Sequence, residues 1–282
     1  MSLPRARAVR PPALPALAAA AAVLLLSCRT WAPPPALPAL PPDDPRPQAY
    51  LARLAAEGAA RHALRAGARV SIEGQRRAGF AKQLLLLERP ARLRLEVVGM
   101  LGQRVAVLAT DGARYDLYRA EAPGVESGAV HSGILWDVAG LALTPEEAVQ
   151  LALGVPLQPS EGVPEAASAA LLPGGGLRVA LRAASAHAPR RTLDFDAAGA
   201  LARYELRAPG GELLFEARYG DYREVAGSPF AHAIEVELPA TTTRAEIEFE
   251  WVELNPRISE DLFRLELRRR GAWGAPWRPS AS

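Results

Sequence analysis

Cysteine is nearly missing from this chain: Cys28 is the only one in 282 residues. A single thiol excludes an intrachain disulfide, and a metal site would want several ligands. Histidine is scarce too. His62, His131, His187 and His232 lie far apart and form no pair at the four-residue spacing that sets two metal ligands on one helix face. No GxSxG elbow is present, and Gly174 to Gly176 lack the lysine and Ser/Thr of a phosphate loop, so they read as a turn. The sequence therefore carries no catalytic constellation, and neither enzyme activity nor a cofactor is expected. Neither sign of charge dominates; a formal net charge of +2 implies no broad nucleic-acid surface. The apolar run Ala16 to Leu26 is eleven residues long, short of the roughly 20 a spanning helix needs.

What is present begins with Arg5, Arg7 and Arg10 followed by that apolar run, the charged and then hydrophobic order of a secretory signal over residues 1–27. Small Ser27 precedes Cys28, and the order Leu25, Leu26, Ser27, Cys28 resembles the bacterial lipobox, in which the cysteine becomes the lipidated first residue of the mature chain. That resemblance implies anchoring through Cys28 without a membrane span, each buried methylene adding roughly 0.8 kcal/mol. Arg29 stands where an aspartate would retain a lipoprotein at the inner membrane in some enteric bacteria, so an outer-membrane, periplasm-facing location is expected. Residues 28–47, with "APPPALPALPPDDPRP" from Ala32, read as a proline-rich tether, extended at about 3.1 Å per residue and unable to build helix or sheet.

The body that follows has material for a core, since 49% of the whole chain is hydrophobic and 23% charged. Gln48 to Ala66 contains no proline and starts an apolar stripe at Leu51, Leu54 and Ala55, which predicts an amphipathic helix ended by Gly67, with a weak point at Gly58. From Ala68 the period changes to two. Leu93, Leu95 and Val97 alternate with Arg92, Arg94 and Glu96, the pattern of a half-solvated antiparallel strand. Between Glu121 and Pro164 the strand pattern stops. Thr144-Pro145-Glu146-Glu147 predicts a capped helix from Pro145 to Leu153, and "SGILWDVAGLAL" a second short one. Strands resume near Ala167 and run almost to the end, giving about eleven in all with short antiparallel links. The fold class expected is mostly β with helices: a curved antiparallel sheet wrapped around the helical segments.

The order of signal, lipobox, helix, alternating strands around "RPARLRLEVVGMLGQRVAVLATDG", helical insert "LTPEEAVQLALGVP", second strand set and closing "WVELNPRISEDLFRLEL" resembles the LolA/LolB lipoprotein-sorting superfamily, especially its lipid-anchored LolB-like branch. The resemblance covers residues 48–267 and leaves 268–282 as a basic tail, whose arginines at 268 to 270 read as solubilising charge. It implies an open half-barrel with a helical lid and an apolar cavity for acyl chains, receiving cargo from a LolA-like periplasmic carrier. It also implies that Met100 and Leu101, in Gly99 to Gly102, form a protruding loop that inserts into the membrane. The competing reading folds both residues back onto the barrel mouth.

Acyl chains are recognised by burial alone, so the candidate lining is apolar. Inward candidates are Leu85, Leu87, Leu93, Leu95, Val97, Val105, Val107, Leu117, Phe215, Ile234, Val236, Ile247, Phe249 and Trp251, with Trp136 in the lid. Each such residue is more often ordinary core than a ligand contact, because packing under helices demands the same residue types. A monomeric carrier that binds the acyl chains of lipoproteins or another lipid and assists their insertion in the outer membrane is the expected function. The alternative is a structural lipoprotein, packed solid, that docks an envelope complex.

Overall fold

The computed structural model describes residues 37–74, 78–155 and 163–265. Helix α1 (Arg46–Ala60) leads into six strands: β1 (Ala63–Glu73), β2 (Ala78–Glu88), β3 (Arg92–Val98), β4 (Arg104–Thr110), β5 (Arg114–Arg119) and β6 (Val125–Ala129). Two short helices follow, α2 (Ile134–Ala139) and α3 (Pro145–Ala152). Seven strands complete the fold: β7 (Ala166–Leu171), β8 (Leu177–Leu181), β9 (Arg190–Phe195), β10 (Leu201–Arg207), β11 (Leu213–Val225), β12 (Ser228–Leu238) and β13 (Thr243–Leu254). All thirteen form one sheet in the order β6-β5-β4-β3-β2-β1-β13-β12-β11-β10-β9-β8-β7. Within β1–β6 and within β7–β13 each strand pairs antiparallel with its sequence neighbours, and the pairing of β1 with β13 joins the two meanders. The edges are β6 and β7, and the stretch between them carries α2 and α3. This is an open half-barrel with helices on its inner face, as the alternating pattern required.

Three boundaries differ from expectation, each because tertiary pairing overrides local propensity. The first helix ends at Ala60 rather than Ala66; Arg61 already has extended backbone, and Ala63 onward is β1, hydrogen-bonded on both sides to β2 and β13. Alanine, leucine and arginine favour helix, but only by tenths of a kcal/mol per residue, less than a central strand gains from two partners. Strand β6, "VESGA", lies where the alternation had stopped, and β7, "AASAAL", is almost as featureless. Both are edge strands drawn into place by β5 and β8. Finally, the tether does not run free to residue 47. The Leu40 N–H donates to Ala169 O at 2.9 Å and the Leu171 N–H to Pro38 O at 2.8 Å, so residues 38–40 extend the β7 edge, and Arg46 and Pro47 already belong to the first turn of α1. Proline is tolerated at both places, on a sheet edge and in a first helical turn.

Other expectations hold. Thr144 caps α3, its hydroxyl accepting from the Glu147 N–H at 3.2 Å while the Glu147 carboxylate accepts from the Thr144 N–H at 2.8 Å. After β13 the chain makes a short helical turn, Glu260–Phe263. Asn255, in the left-handed region at φ 53°, accepts from the His62 N–H at 2.9 Å and donates to Ala60 O at 2.8 Å, fastening the end of β13 to the α1–β1 junction. The following segment crosses the outer face of β3 and β4. Phe263 is buried there, Arg94 donates to Leu262 O at 2.9 Å, and the Leu265 N–H donates to Asp116 Oδ2 at 2.9 Å.

Candidate functional site

Register assigns every candidate side chain a face. Leu85 opposes Leu95, Leu95 opposes Leu108, and Leu108 opposes Leu117; Leu87 opposes Leu93 in the same way. Ile234 opposes Ile247, and Val236 opposes Ala245 and Ala217. These residues, with Phe215 and Phe249, share one apolar cluster with Leu51 of α1, Leu135 of α2 and Val149 of α3, and Leu95 and Ile247 pack partly buried against it. Val97 opposes Ala106 on the same face and is half-buried. In this state most of the set is closed core rather than the lining of a hollow: Leu93 is 0% exposed, Ile234 1% and Phe249 3%.

Three candidates face the other way. Val107 opposes Glu96 and Tyr118 and is buried with Ala109 and Leu265 in a separate outer cluster; Val105 is exposed. The stretch "RVAVLAT" is apolar on both faces because the crossing C-terminal segment covers the outer one, so alternation alone could not choose. Trp251 is turned outward by the register shift between Gly67 and Ala68. It opposes Gly67, where an added Cβ would stand 2.3 Å from the indole Nε1. Trp136 is half-buried in α2, while its neighbours Ile134 and Leu135 are the residues driven into the core.

Met100 and Leu101 stand out fully, at 102% and 93% exposure. Their turn is held by its own hydrogen bonds: Gly99 N–H to Gln103 O at 2.8 Å, Gly102 N–H to Gly99 O at 2.9 Å, and Leu101 N–H to Gln103 Oε1 at 3.0 Å, with Gly102 at φ 80°. The turn thus presents two large apolar side chains to solvent. Phe80, 66% exposed, also belongs to this end of the sheet, two residues before Lys82, which opposes Val98. Cys28 and the signal lie outside the described residues.

An apolar cleft of about 630 Å³ lies between α1 and α3. Helix α1 contributes Leu51, Leu54, Ala55 and Gly58, the stripe read from the sequence, together with Ala59; Val155, Val163, Pro164 and Leu193 close the other sides. Its rim carries Arg89 and Pro90 from the β2–β3 turn and Glu146 and Gln150 from α3. None of the strand residues expected to line a cavity borders it. The Glu146 carboxylate accepts from the Gln150 side-chain amide at 3.2 Å and is exposed. Arg89 is half-buried, its Nε is buried with no hydrogen-bond partner, and its guanidinium forms no ion pair among the described residues.

A second arginine, also missed by sequence reasoning, ties the cleft's walls together. Arg61, 4% exposed, donates to Leu153 O at the end of α3 (3.3 Å), to Pro229 O (2.6 Å), to Ser228 Oγ (3.3 Å) and to Glu57 Oε2 (3.2 Å), and lies 5.5 Å from the Phe230 ring centroid. Burial pushes its pKa down, against the pull of Glu57. Nothing in the sequence singles Arg61 out; the fold shows it to be interior.

Among the described residues, no helix is long and apolar enough to cross a membrane. No protein-family model matches the sequence, and no curated protein matches it. Solved structures do. A LolA superfamily protein from Nitrosomonas europaea superposes with a TM-score of 0.50 at 9% identity, covering 77% of this chain and 97% of that one. A DUF1329 family protein from Desulfovibrio piger has a TM-score of 0.47 at 11% identity, covering 78% and 96%. A domain assigned to outer-membrane lipoprotein sorting in Vibrio parahaemolyticus has a TM-score of 0.47 at 14% identity, covering 75% and 94%. At these identities the likeness is one of fold: the chain has the LolA-type half-barrel.

Proposed function

We propose that this LolA-type half-barrel is a lipid-binding protein of the bacterial envelope, anchored through Cys28, that shelters acyl chains of lipoproteins or other lipids and helps pass them into the outer membrane. The observation that carries this reading is the pairing of an apolar cleft between two helices with a fully exposed, internally hydrogen-bonded Met100–Leu101 tip. An acyl chain is stabilised by removal from water, at about 25 cal/mol per Å² of apolar surface, and needs no polar partner along its length. Two exposed apolar side chains at a tip favour an interface over water. The tip and the cleft sit at opposite ends of β3, since Leu101 follows its last residue and Arg89 precedes its first, about 20 Å apart along the strand. Binding and insertion are then separable. Cargo would come from a LolA-like periplasmic carrier, moving down a gradient of affinity without nucleotide.

The test is transfer of a fluorescently acylated lipoprotein to vesicles, with Leu101→Glu in parallel. The variant should keep acyl-chain binding and lose most vesicle delivery, because a carboxylate opposes entry into hydrocarbon. Normal delivery by Leu101→Glu would remove the insertion role. The closed packing of the strands' inner face favours a second reading, a structural lipoprotein; a protein that takes up no acylated probe would support it.

A further inference from the structure

We infer that the cleft between α1 and α3 selects an acyl chain bearing an anionic head group, with Arg89 as the residue that receives the head. The inference rests on the acyl-chain reading and deepens it, since apolar walls alone would take any long hydrocarbon.

Arg89, in the β2–β3 turn, differs from the arginines that are buried or paired on the sheet. Arg94, Arg104, Arg178, Arg203 and Arg218 are each committed to a buried or half-buried carboxylate on the outer face, and Arg61 to carbonyls. Arg89 has no such partner among the described residues, yet it borders an apolar cleft with its Nε removed from water. A guanidinium half out of water with an unmet donor is costly until an acceptor arrives, and a planar carboxylate or a phosphate fits its fork of N–H groups. The rim's other charge, Glu146, repels such a head, but it is exposed, hydrated and already accepts from Gln150, so its field is screened more than that of half-buried Arg89. The walls beside Arg89 suit a chain: Leu51, Leu54, Gly58, Val155 and Leu193 offer no polar side chain. The volume lies within the roughly 300–1,000 Å³ of pockets that bury small molecules. Head and tail are thus provided for at adjoining positions.

The experiment uses the full chain with Cys28→Ser, which removes the acylation acceptor, and two probes of equal length, cis-parinaric acid and its methyl ester, followed by fluorescence. Wild type should bind the acid about tenfold more tightly than the ester, the effect of one charge-assisted hydrogen bond. Arg89→Gln should erase that preference, bringing the acid down to the affinity of the ester, and Glu146→Gln should increase it. The Arg89 backbone N–H, which donates to His62 O at 2.9 Å, is kept in the variant, and the Arg89 side chain leaves no partner behind, so folding is preserved. Displacement of the bound acid by oleate or by phosphatidylglycerol then tells a carboxylate head from a phosphate one. Equal binding of acid and ester by wild type, or equal loss of both in Arg89→Gln, overturns the anionic head while the acyl reading stands. Failure of both probes to bind overturns the acyl reading itself.

Discussion

Replacing Arg61 with methionine removes the cation that links α1, the end of α3 and the β11–β12 turn, while keeping much of the apolar stem that packs against Phe230. Two effects compete. The variant is relieved of a buried guanidinium whose Nε has no hydrogen-bond partner, a group that costs about 1–3 kcal/mol to leave unmet. Against this, four donated hydrogen bonds vanish, and the carbonyl of buried Leu153 loses a donor in the interior, where no water replaces it; Pro229 O, Ser228 and Glu57, partly exposed, can be rehydrated. Bonds from a charged donor are worth roughly 1.5–3 kcal/mol each, so even if water makes good about half of the four, the losses exceed the relief by about 2 kcal/mol. Urea unfolding followed by tryptophan fluorescence reads this as a lower midpoint with an unchanged slope. The same variant frees one wall of the cleft, so parinarate should enter and leave several times faster, measured by stopped flow. A midpoint within experimental scatter of wild type, together with unchanged probe kinetics, would refute the assignment of Arg61 as the tie between the helices.

Gly67→Ala should be destabilising, by about 1–3 kcal/mol, because its Cβ would stand 2.3 Å from the Trp251 indole in the centre of the sheet, so that the indole or the bulge must move; thermal unfolding checks it, and a variant as stable as wild type would contradict the register. Burial alone would push Glu216 up, but the guanidinium of Arg203, helped by Arg218, outweighs it and holds the carboxyl below the usual glutamate range. A depressed folded pKa contributes stability that is present above the unfolded glutamate value and lost as the pH falls through the folded one. The stability difference between wild type and Glu216→Gln should therefore shrink as urea titrations move from neutral pH into the acid range, and a difference independent of pH would count against this pairing.

Much of the fold was legible because its strands obey a period of two around a helix with a period near 3.6. Leu93, Leu95 and Val97 declared a half-buried strand, and Thr144-Pro145-Glu146-Glu147 declared a capped helix, each from local chemistry that the tertiary structure leaves intact. What stayed hidden depended on partners distant in sequence. The outward turn of Trp251 follows from a register shift against Gly67, 184 positions away, and the burial of Val107 from the C-terminal segment that covers it. The candidate site was the least legible part. Leu51, Leu54 and Gly58 were read as a stripe seeking an apolar partner, and the structure makes that partner in part a cleft. Arg89 and Arg61 carried no signal at all, since an unpaired arginine and a buried one look alike in a sequence rich in surface arginine.

The most direct measurement is native mass spectrometry of the protein extracted gently from the cells that make it, with and without the paired substitution of Leu54 and Gly58 by tryptophan to fill the cleft. A carrier of acyl chains should retain lipid mass that the filled variant lacks. Lipid-free protein in both, or lipid retained equally by both, would contradict the claim that the cleft holds hydrocarbon.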